Sequence, residues 1–372
     1  METRTARAAT LGLPRRLGGE LLETAGQILV ESVRRHRAFI VIILAYWAAC
    51  YAAAWATGGL AAVDVRPYTT VFNVFLLCLT VLAVLGTILY VMIIERPAGS
   101  LYPAIGQALF RRVLSADRLA NLFVPLAVGP LFFTTFGSFK RLIPLMNGYS
   151  WDRAFMTWDA WLHGGVQPWA LLQPLLGTPY VTSGINFFYN MWLALMFGTF
   201  IWQACSLKRP ALRMQYLLSF LMFWIVVGTV LATLLSSVGP CYYGRETGLA
   251  DPYAPLMDYL RAANEVAPVW SLKVQDMLWD NYVSHGTMLG SGISAMPSMH
   301  LAIATLMALL GWRINRWVGL GYTAFAAVIL VGSVHLGWHY AIDGYVSIVA
   351  AIAVWHATGW AMRRLRLAEP GR

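Results

Sequence analysis

Eight apolar runs, each close to the length of a helix that crosses a lipid bilayer, constrain the fold of this chain more than any other feature. One crossing takes about 18 or more apolar residues. Of the 372 residues, 59% are hydrophobic and only 12% are charged, which leaves too little polar surface for a soluble domain. We therefore predict an all-α, polytopic membrane bundle of about eight transmembrane helices. The runs are 38–58, 70–94, 119–137, 185–205, 214–237, 298–312, 318–334 and 340–361, of which 298–312 is the shortest.

Positive charges are distributed unevenly over the segments between these runs. The net charge of +10 comes from Arg and Lys in the N-terminal arm 1–37, in every second loop and in the tail 362–372. With eight spans all of these segments lie on one side, and an excess of Lys and Arg marks that side as cytoplasmic. The long segments 138–184 and 238–297 then lie outside. We predict a protein of the bacterial inner membrane with its larger loops in the periplasm.

Two histidine motifs provide candidate chemistry on the predicted outer face. His339 and Asp343 are four residues apart, which in a helix places them on one face, so that the carboxylate can orient the imidazole. His300 ends the motif Met296-Pro-Ser-Met-His directly before another apolar run. An imidazole oriented by a carboxylate is a directed nucleophile, and a second histidine can give and take the proton.

The two motifs carry a family resemblance. Pro297-Ser-Met-His300, followed about forty residues later by His339-Tyr-Ala-Ile-Asp343, resembles the type 2 phosphatidic acid phosphatase superfamily, with its Pro-Ser-Gly-His and His-x-x-x-Asp elements. The context Gly-Ile-Ser-Ala-Met before Pro297, together with Ser237-Val-Gly-Pro240 and Lys140-Arg-Leu-Ile-Pro144, is most similar to the inositol phosphorylceramide synthase branch. The resemblance covers about residues 119–361. It implies a six-helix catalytic core, preceded by two accessory spans within 38–118.

The resemblance also implies the reaction. His339 would attack phosphorus and form a phosphohistidine, Asp343 would orient it, and His300 would protonate the departing alkoxide and later deprotonate the acceptor. These roles need neither a metal nor a cofactor. The implied function is headgroup transfer from a phospholipid donor to a lipid alcohol, with a simple lipid phosphate phosphatase that uses water as the alternative.

The sequence departs from the superfamily pattern at two positions, and both bear on the phosphate site. Ser333 stands where the superfamily has an arginine, and Met299 replaces the glycine of Pro-Ser-Gly-His. Other groups must therefore meet the phosphate charge. We favour Lys140 with Arg245, and Ser298 can add its hydroxyl and backbone N–H at a helix entrance. The further candidates on the same side are Arg141 and Arg153.

Other interpretations stay open at this point. Each histidine taken alone is typical of a polar residue at the membrane interface. His335 and His339 together could form a metal pair, although no Glu accompanies them as in a zinc-protease helix. Asp152 and Asp159 either cap a surface helix or bind headgroup hydroxyls. A proton-coupled transporter would use these groups as a relay, but it would place them near mid-membrane. Nothing indicates nucleic-acid binding, and the oligomeric state is not indicated.

Overall fold

A computed structural model describes residues 13–63, 67–112, 115–284, 286 and 292–367, and its regular elements are helices. The predicted all-α bundle is confirmed. Residues 1–12 of the predicted arm and 368–372 of the predicted tail lie outside the described residues. The helices are α1 (Leu13–Arg35), α2 (Arg37–Ala56), α3 (Pro67–Tyr90), α4 (Leu101–Arg112), α5 (Ala116–Met146), α6 (Asp152–Leu162), α7 (Pro168–Leu176), α8 (Pro179–Cys205), α9 (Pro210–Leu234), α10 (Tyr243–Thr247), α11 (Ala254–Asn264), α12 (Trp270–Val283), α13 (Met299–Ile314), α14 (Arg316–His335) and α15 (Ala341–Arg364).

Seven of these helices are long and apolar enough to cross a membrane, namely α2, α3, α5, α8, α9, α14 and α15. The remaining predicted run, 298–312, corresponds to α13, which has 16 residues and is therefore about 24 Å long. That is shorter than a hydrocarbon layer of about 30 Å. Because Leu301, Ile303 and Leu306 are buried, α13 lies inside the bundle and is surrounded by protein. Its length therefore does not have to match the lipid.

Helix α5 extends further than the sequence predicted. The expected span ended at residue 137, whereas the helix continues to Met146 and carries Lys140 and Arg141 on its last turns. The adjacent charges looked like the start of a loop. In the structure the Arg141 guanidinium donates to the carbonyl of Ala62 at 2.9 Å, so its charge is held by a neighbouring loop. The helix stops shortly after Pro144, and Asn147 follows in extended conformation.

One end of the bundle, which we call the basic end, joins the ends of several helices through arginines. Arg35 of α1 binds Asp117 of α5 at 3.0 Å, and Arg118 donates to the carbonyl of Cys205 at 3.0 Å. Buried Arg213 of α9 donates to His36 at 2.7 Å. Burial, together with the charge of Arg213, lowers the pKa of His36 to about 4. The Arg-rich loops predicted to share one side therefore meet at one end.

Short helices and loops cover the opposite end, which we call the capped end. Helices α6 and α7 lie in the segment 138–184 at this end, and α11 and α12 lie in the segment 238–297. Backbone hydrogen bonds join the segment after α9 to two distant loops: Cys241 donates to Gly337 and Ala295 donates to Ser237, each at 2.9 Å. Gly239 has a φ of 91°, and a Cβ there would lie 2.8 Å from the Trp338 carbonyl oxygen. These loops are therefore tightly packed around the residues that precede α13 and α15.

Candidate active site

His339 lies in the connection between α14 and α15, two residues before α15 begins. Its Nδ1 is 3.2 Å from Oδ2 of Asp343, which also accepts the backbone N–H of Tyr340 at 3.2 Å. The pair therefore forms across the start of α15 and not within one helix, as the spacing argument assumed. Both side chains are buried. Because Nδ1 faces the carboxylate, Nε2 of His339 is the nitrogen left for a substrate.

His300 lies in the first turn of α13, close to His339. The centroids of the two imidazole rings are 6.4 Å apart, with an angle of 60° between the ring planes. The backbone N–H of Ser298 donates to the carbonyl of Asp343 at 3.4 Å, which joins the two histidine motifs directly. The structure therefore brings both motifs to the capped end, at a separation that a single phosphate group can occupy.

Asp152 of α6 hydrogen-bonds to the segment after α9 and to Tyr340, the residue that follows His339. Its two carboxylate oxygens accept the backbone N–H groups of Val238 and Gly239, each at 2.9 Å. The hydroxyl of Tyr340 donates to the same carboxylate at 2.7 Å. Burial raises the pKa of Asp152, and these donors oppose that shift. Its oxygens are therefore occupied within the protein.

Asp159, two turns further along α6, caps α15 from outside. Its oxygens accept the N–H groups of Ala341 at 2.8 Å and Ile342 at 3.0 Å, the first two residues of α15. Burial raises the pKa of Asp159, and the same two donors oppose the shift. Both carboxylates are buried and hydrogen-bonded to backbone, which favours a structural role for Asp152 and Asp159 over the headgroup contact considered from the sequence.

A cavity of about 430 Å³ lies against both imidazoles. This volume is within the usual range for small-molecule sites. The wall consists largely of apolar and aromatic side chains from α5, α8, α9 and α12, including Phe136, Leu193, Trp224 and Val274. Its polar side chains, apart from the two histidines, are Lys140, Asn190, Tyr189, Trp192, Tyr242, Ser271, Ser294, Trp224 and Trp338.

Of the four basic residues predicted to meet the phosphate, Lys140 is the one that lines this cavity. No hydrogen bond or ion pair from the described part of the chain holds its ammonium group. Arg141 points to Ala62 instead. Arg153 is exposed on α6.

Arg245, which we favoured together with Lys140, lies elsewhere. It lines a second, larger cavity of about 970 Å³ at the capped end. There it binds Asp276 at 3.4 Å and stacks over the ring of Trp279. Arg245 is therefore not among the residues that line the cavity beside the imidazoles, and its pairing with Lys140 at one phosphate stays a prediction.

Ser298 is occupied by its own helix. Its hydroxyl accepts the N–H of Leu301 at 3.5 Å and caps α13, and its backbone N–H donates to Asp343. The backbone N–H of Ser298 is therefore already engaged, whereas its hydroxyl still has a proton to donate, and the hydroxyl contact with a phosphate stays a prediction. The free N–H groups at the start of α13 belong to the residues that follow Ser298.

Sequence reasoning missed two aromatic residues of α8. The ring of Tyr189 stacks on His300 at 4.6 Å between centroids, and the ring of Trp192 lies 4.2 Å from it. Their spacing of three residues on an apolar helix was a signal for a shared face, but not for a histidine partner.

His335 was considered as a metal ligand. Its Nε2 shares a hydrogen bond of 2.9 Å with the hydroxyl of Thr182. Among the described residues no group of three or more His, Cys, Asp or Glu is arranged to hold a metal.

Comparison with known proteins gives a family match, and the matched residues include both histidine motifs. A family model described as the PAP2 superfamily, the type 2 phosphatidic acid phosphatases, matches residues 153–357, which is more than half of the chain. No curated protein and no solved structure matches the chain. The matched region contains His300, His339 and Asp343, and begins after Lys140. The chain belongs to the PAP2 superfamily.

Proposed function

We propose that this protein transfers a phosphoryl group, with or without a headgroup, from a phospholipid donor to an acceptor through a phosphohistidine on His339. Membership of the PAP2 superfamily supports a phosphatase-type reaction on a lipid phosphoester. The observation that carries the finer proposal is the separation of 6.4 Å between the rings of His300 and His339, beside one cavity. A nucleophile and a proton donor at this separation can act on opposite sides of one phosphorus atom.

The proposed reaction has two steps. Nε2 of His339 attacks phosphorus, the bond from phosphorus to the leaving oxygen breaks, and His300 gives its proton to that oxygen. In the second step an acceptor hydroxyl gives its proton to His300, its oxygen attacks phosphorus, and the bond to His339 breaks. Asp343 accepts the Nδ1 hydrogen bond and stabilises the charge that develops on His339 in the first step. Protons and phosphate balance over the cycle, and neither step requires a metal or a cofactor.

Lys140 is the cation that we propose for the phosphate oxygens. It lines the cavity, and no carboxylate from the described residues neutralises it. Its role would replace the arginine that the family pattern places at Ser333. The first-turn N–H groups of α13 are a second source of donors, because a helix N-terminus favours an anion. His300 lies in this same turn.

We propose a lipid alcohol as acceptor, in the manner of inositol phosphorylceramide synthases. The support is the character of the cavity wall, which is mostly apolar and aromatic and so disfavours bulk water around a phosphohistidine. Water as acceptor, which would make the protein a lipid phosphate phosphatase, is the competing outcome. The acceptor distinguishes these two activities, since the phosphohistidine is common to both.

We further propose that the capped end faces the periplasm of a bacterial inner membrane. The basic end gathers the Arg-rich loops, and such loops are enriched on the cytoplasmic side. The two histidine motifs lie at the other end of the bundle. Accessibility of a cysteine introduced beside α6 to an impermeant thiol reagent, added to intact cells, would test this orientation.

The reaction is tested with a panel of labelled donors. Purified protein in detergent micelles receives phosphatidic acid or phosphatidylinositol labelled in the phosphate, with ceramide, diacylglycerol or water alone as acceptor. We expect label on the lipid alcohol, no turnover by His339→Ala, and full turnover by His356→Ala, whose side chain is exposed on α15. Release of phosphate to water in every condition would contradict transfer to a lipid alcohol and would identify the protein as a lipid phosphate phosphatase. Turnover by His339→Ala at the wild-type rate would contradict the whole proposal.

A further inference from the structure

His300 is held differently from His339. An acidic partner, Asp343, orients His339, whereas no described residue forms a hydrogen bond or ion pair with the imidazole of His300. Its neighbours are the rings of Tyr189 and Trp192, one turn apart on α8. The Tyr189 ring is nearly parallel to that of His300, at an angle of 16° and 4.6 Å between centroids, and the Trp192 ring lies at 33° and 4.2 Å.

We propose that Tyr189 and Trp192 form an aromatic clamp that positions the His300 ring and favours its protonated form for proton transfer. The clamp rests on the proposed function, because it assigns positioning residues to the histidine that serves there as acid and base. Neither residue is proposed to contact the phosphorus. Both act on the reaction through His300.

A second layer of the structure fixes the clamp relative to the nucleophile. The ring of Trp338 is parallel to that of Tyr189, at an angle of 6° and 6.5 Å between centroids. Its Nε1 donates to the hydroxyl of Ser271 at 3.1 Å, and this hydroxyl donates to Asn186 at 2.7 Å. Trp338 immediately precedes His339. The ring contacts therefore connect His300, the proposed acid, through Tyr189 and Trp338 to the segment that carries His339, the proposed nucleophile.

The charges around His300 explain why it needs such neighbours. Burial opposes a positive charge on His300 most strongly, and His339 from the connection before α15 and Lys140 from α5 oppose it further. The carboxylate of Asp343 is hydrogen-bonded to His339. The faces of tyrosine and tryptophan rings carry negative potential and attract a cation placed against them. The clamp therefore offsets repulsion that no described carboxylate beside His300 relieves.

The polar groups of the two clamp residues make no hydrogen bond with a described residue, so substitutions can test the aromatic rings alone. The Tyr189 hydroxyl and the Trp192 Nε1 are buried and have no hydrogen-bond partner among the described residues. Substitution by phenylalanine therefore removes no hydrogen bond and keeps an aromatic face. Substitution by leucine removes the face and keeps an apolar side chain. The effect of the aromatic ring is therefore the difference between the phenylalanine and the leucine variant at each position, Tyr189→Phe against Tyr189→Leu and Trp192→Phe against Trp192→Leu.

The experiment measures kcat/KM against pH with the labelled donor and acceptor that the wild-type protein turns over, phosphatidic acid or phosphatidylinositol. The alkaline limb of this profile reports loss of the proton from the essential acid. We expect each leucine variant to move the alkaline limb to lower pH by about one unit and to lower kcat at least about tenfold. We expect each phenylalanine variant to keep the wild-type limb within a few tenths of a unit. The matched control is Phe188→Leu, which removes a half-exposed ring from the same helix and should leave the profile unchanged.

Three results would overturn the clamp. A leucine variant that folds and keeps the wild-type limb shows that the ring face does not favour the protonated acid. Phenylalanine variants as defective as the leucine variants show that the polar tips matter instead. An equal shift in Phe188→Leu shows a general effect of α8. If one leucine variant fails to fold, the other position supplies the same comparison. Wild-type turnover that does not depend on His300, measured with His300→Ala, would instead contradict the proposed function.

Discussion

The substitution Asp159→Asn tests how the fold holds the start of α15, which carries Asp343. Asparagine has nearly the same shape, but it keeps one acceptor oxygen and turns an amide toward the second N–H of α15. One of the bonds to Ala341 and Ile342, 2.8 and 3.0 Å long, is therefore lost together with the negative charge at the helix N-terminus. A hydrogen bond to a charged group contributes about 1.5–3 kcal/mol, and the charge at a helix N-terminus adds up to about 2 kcal/mol. Desolvation, which raises the pKa of Asp159, offsets part of this gain. We expect a loss of roughly 2 kcal/mol in the free energy of unfolding.

The effect on catalysis follows from what α15 carries. Asp343 lies in the first turn of α15, so a displaced helix start lengthens its 3.2 Å contact with His339. Misplacement of a catalytic group by about 1 Å can cost roughly a hundredfold in rate, and we expect kcat to fall between about 10-fold and 100-fold. KM should stay near the wild-type value, because Asp159 does not contact the substrate in this account.

The assay combines thermal melting in detergent with kcat and KM for the labelled phospholipid. Asp258→Asn is the matched control, because Asp258 is an exposed aspartate of α11 whose partner is Arg261; it should change neither property. A raised KM with an unchanged melting temperature and kcat would refute the reasoning. That pattern would mean that Asp159 binds the substrate headgroup and does not cap α15.

The other predictions concern the phosphate cation, a loop glycine and a buried histidine. Lys140→Met should raise KM for the donor and the inhibition constant of inorganic phosphate at least about tenfold, because a charge-assisted contact is lost; unchanged inhibition by phosphate would contradict this role. Gly239→Ala should lower the melting temperature and turnover, because its Cβ meets the Trp338 carbonyl oxygen, whereas Gly248→Ala, with a similar positive φ but open space around it, should retain turnover; equal turnover in the two variants would refute the packing argument. His36 accepts a proton at about 6.5 when unfolded but at about 4 when folded, so its contribution to stability is complete above pH 6.5 and is lost as the pH falls toward 4. The melting temperature of His36→Gln should therefore fall less between pH 6.5 and pH 4.5 than that of the wild type, and equal falls would contradict the assignment.

The parts of the site that the sequence predicted are those set by local spacing or by the length of apolar runs. His339 and Asp343 are four residues apart, and their contact needs only the turn at the start of α15. Seven of the eight runs matched helices long and apolar enough to cross a membrane, because the bilayer sets their length, and the run 298–312 matched the shorter, buried α13. Even there, α5 was predicted too short, since adjacent charges looked like a loop.

The parts that the sequence could not predict depend on contacts between distant segments. Asp159 and Ala341 are 182 positions apart, and nothing local to either residue indicates their hydrogen bond. The choice between Lys140 and Arg245 also depended on contacts between distant segments. Both are cations near the capped end, but Asp276 and Trp279 occupy Arg245, whereas Lys140 faces the cavity. The aromatic neighbours of His300 were equally hidden, because tryptophan and tyrosine in an apolar run are typical of any membrane protein.

The central claim is that His339 carries the phosphoryl group during the reaction. The most direct measurement is to mix the protein with a phosphate-labelled phospholipid donor, quench at short times, and measure label that remains bound to protein. We expect bound label that is stable in alkali, is released by acid, maps to the peptide containing His339, and is absent in His339→Ala. Label that persists in His339→Ala, or that maps to another residue, would contradict the account.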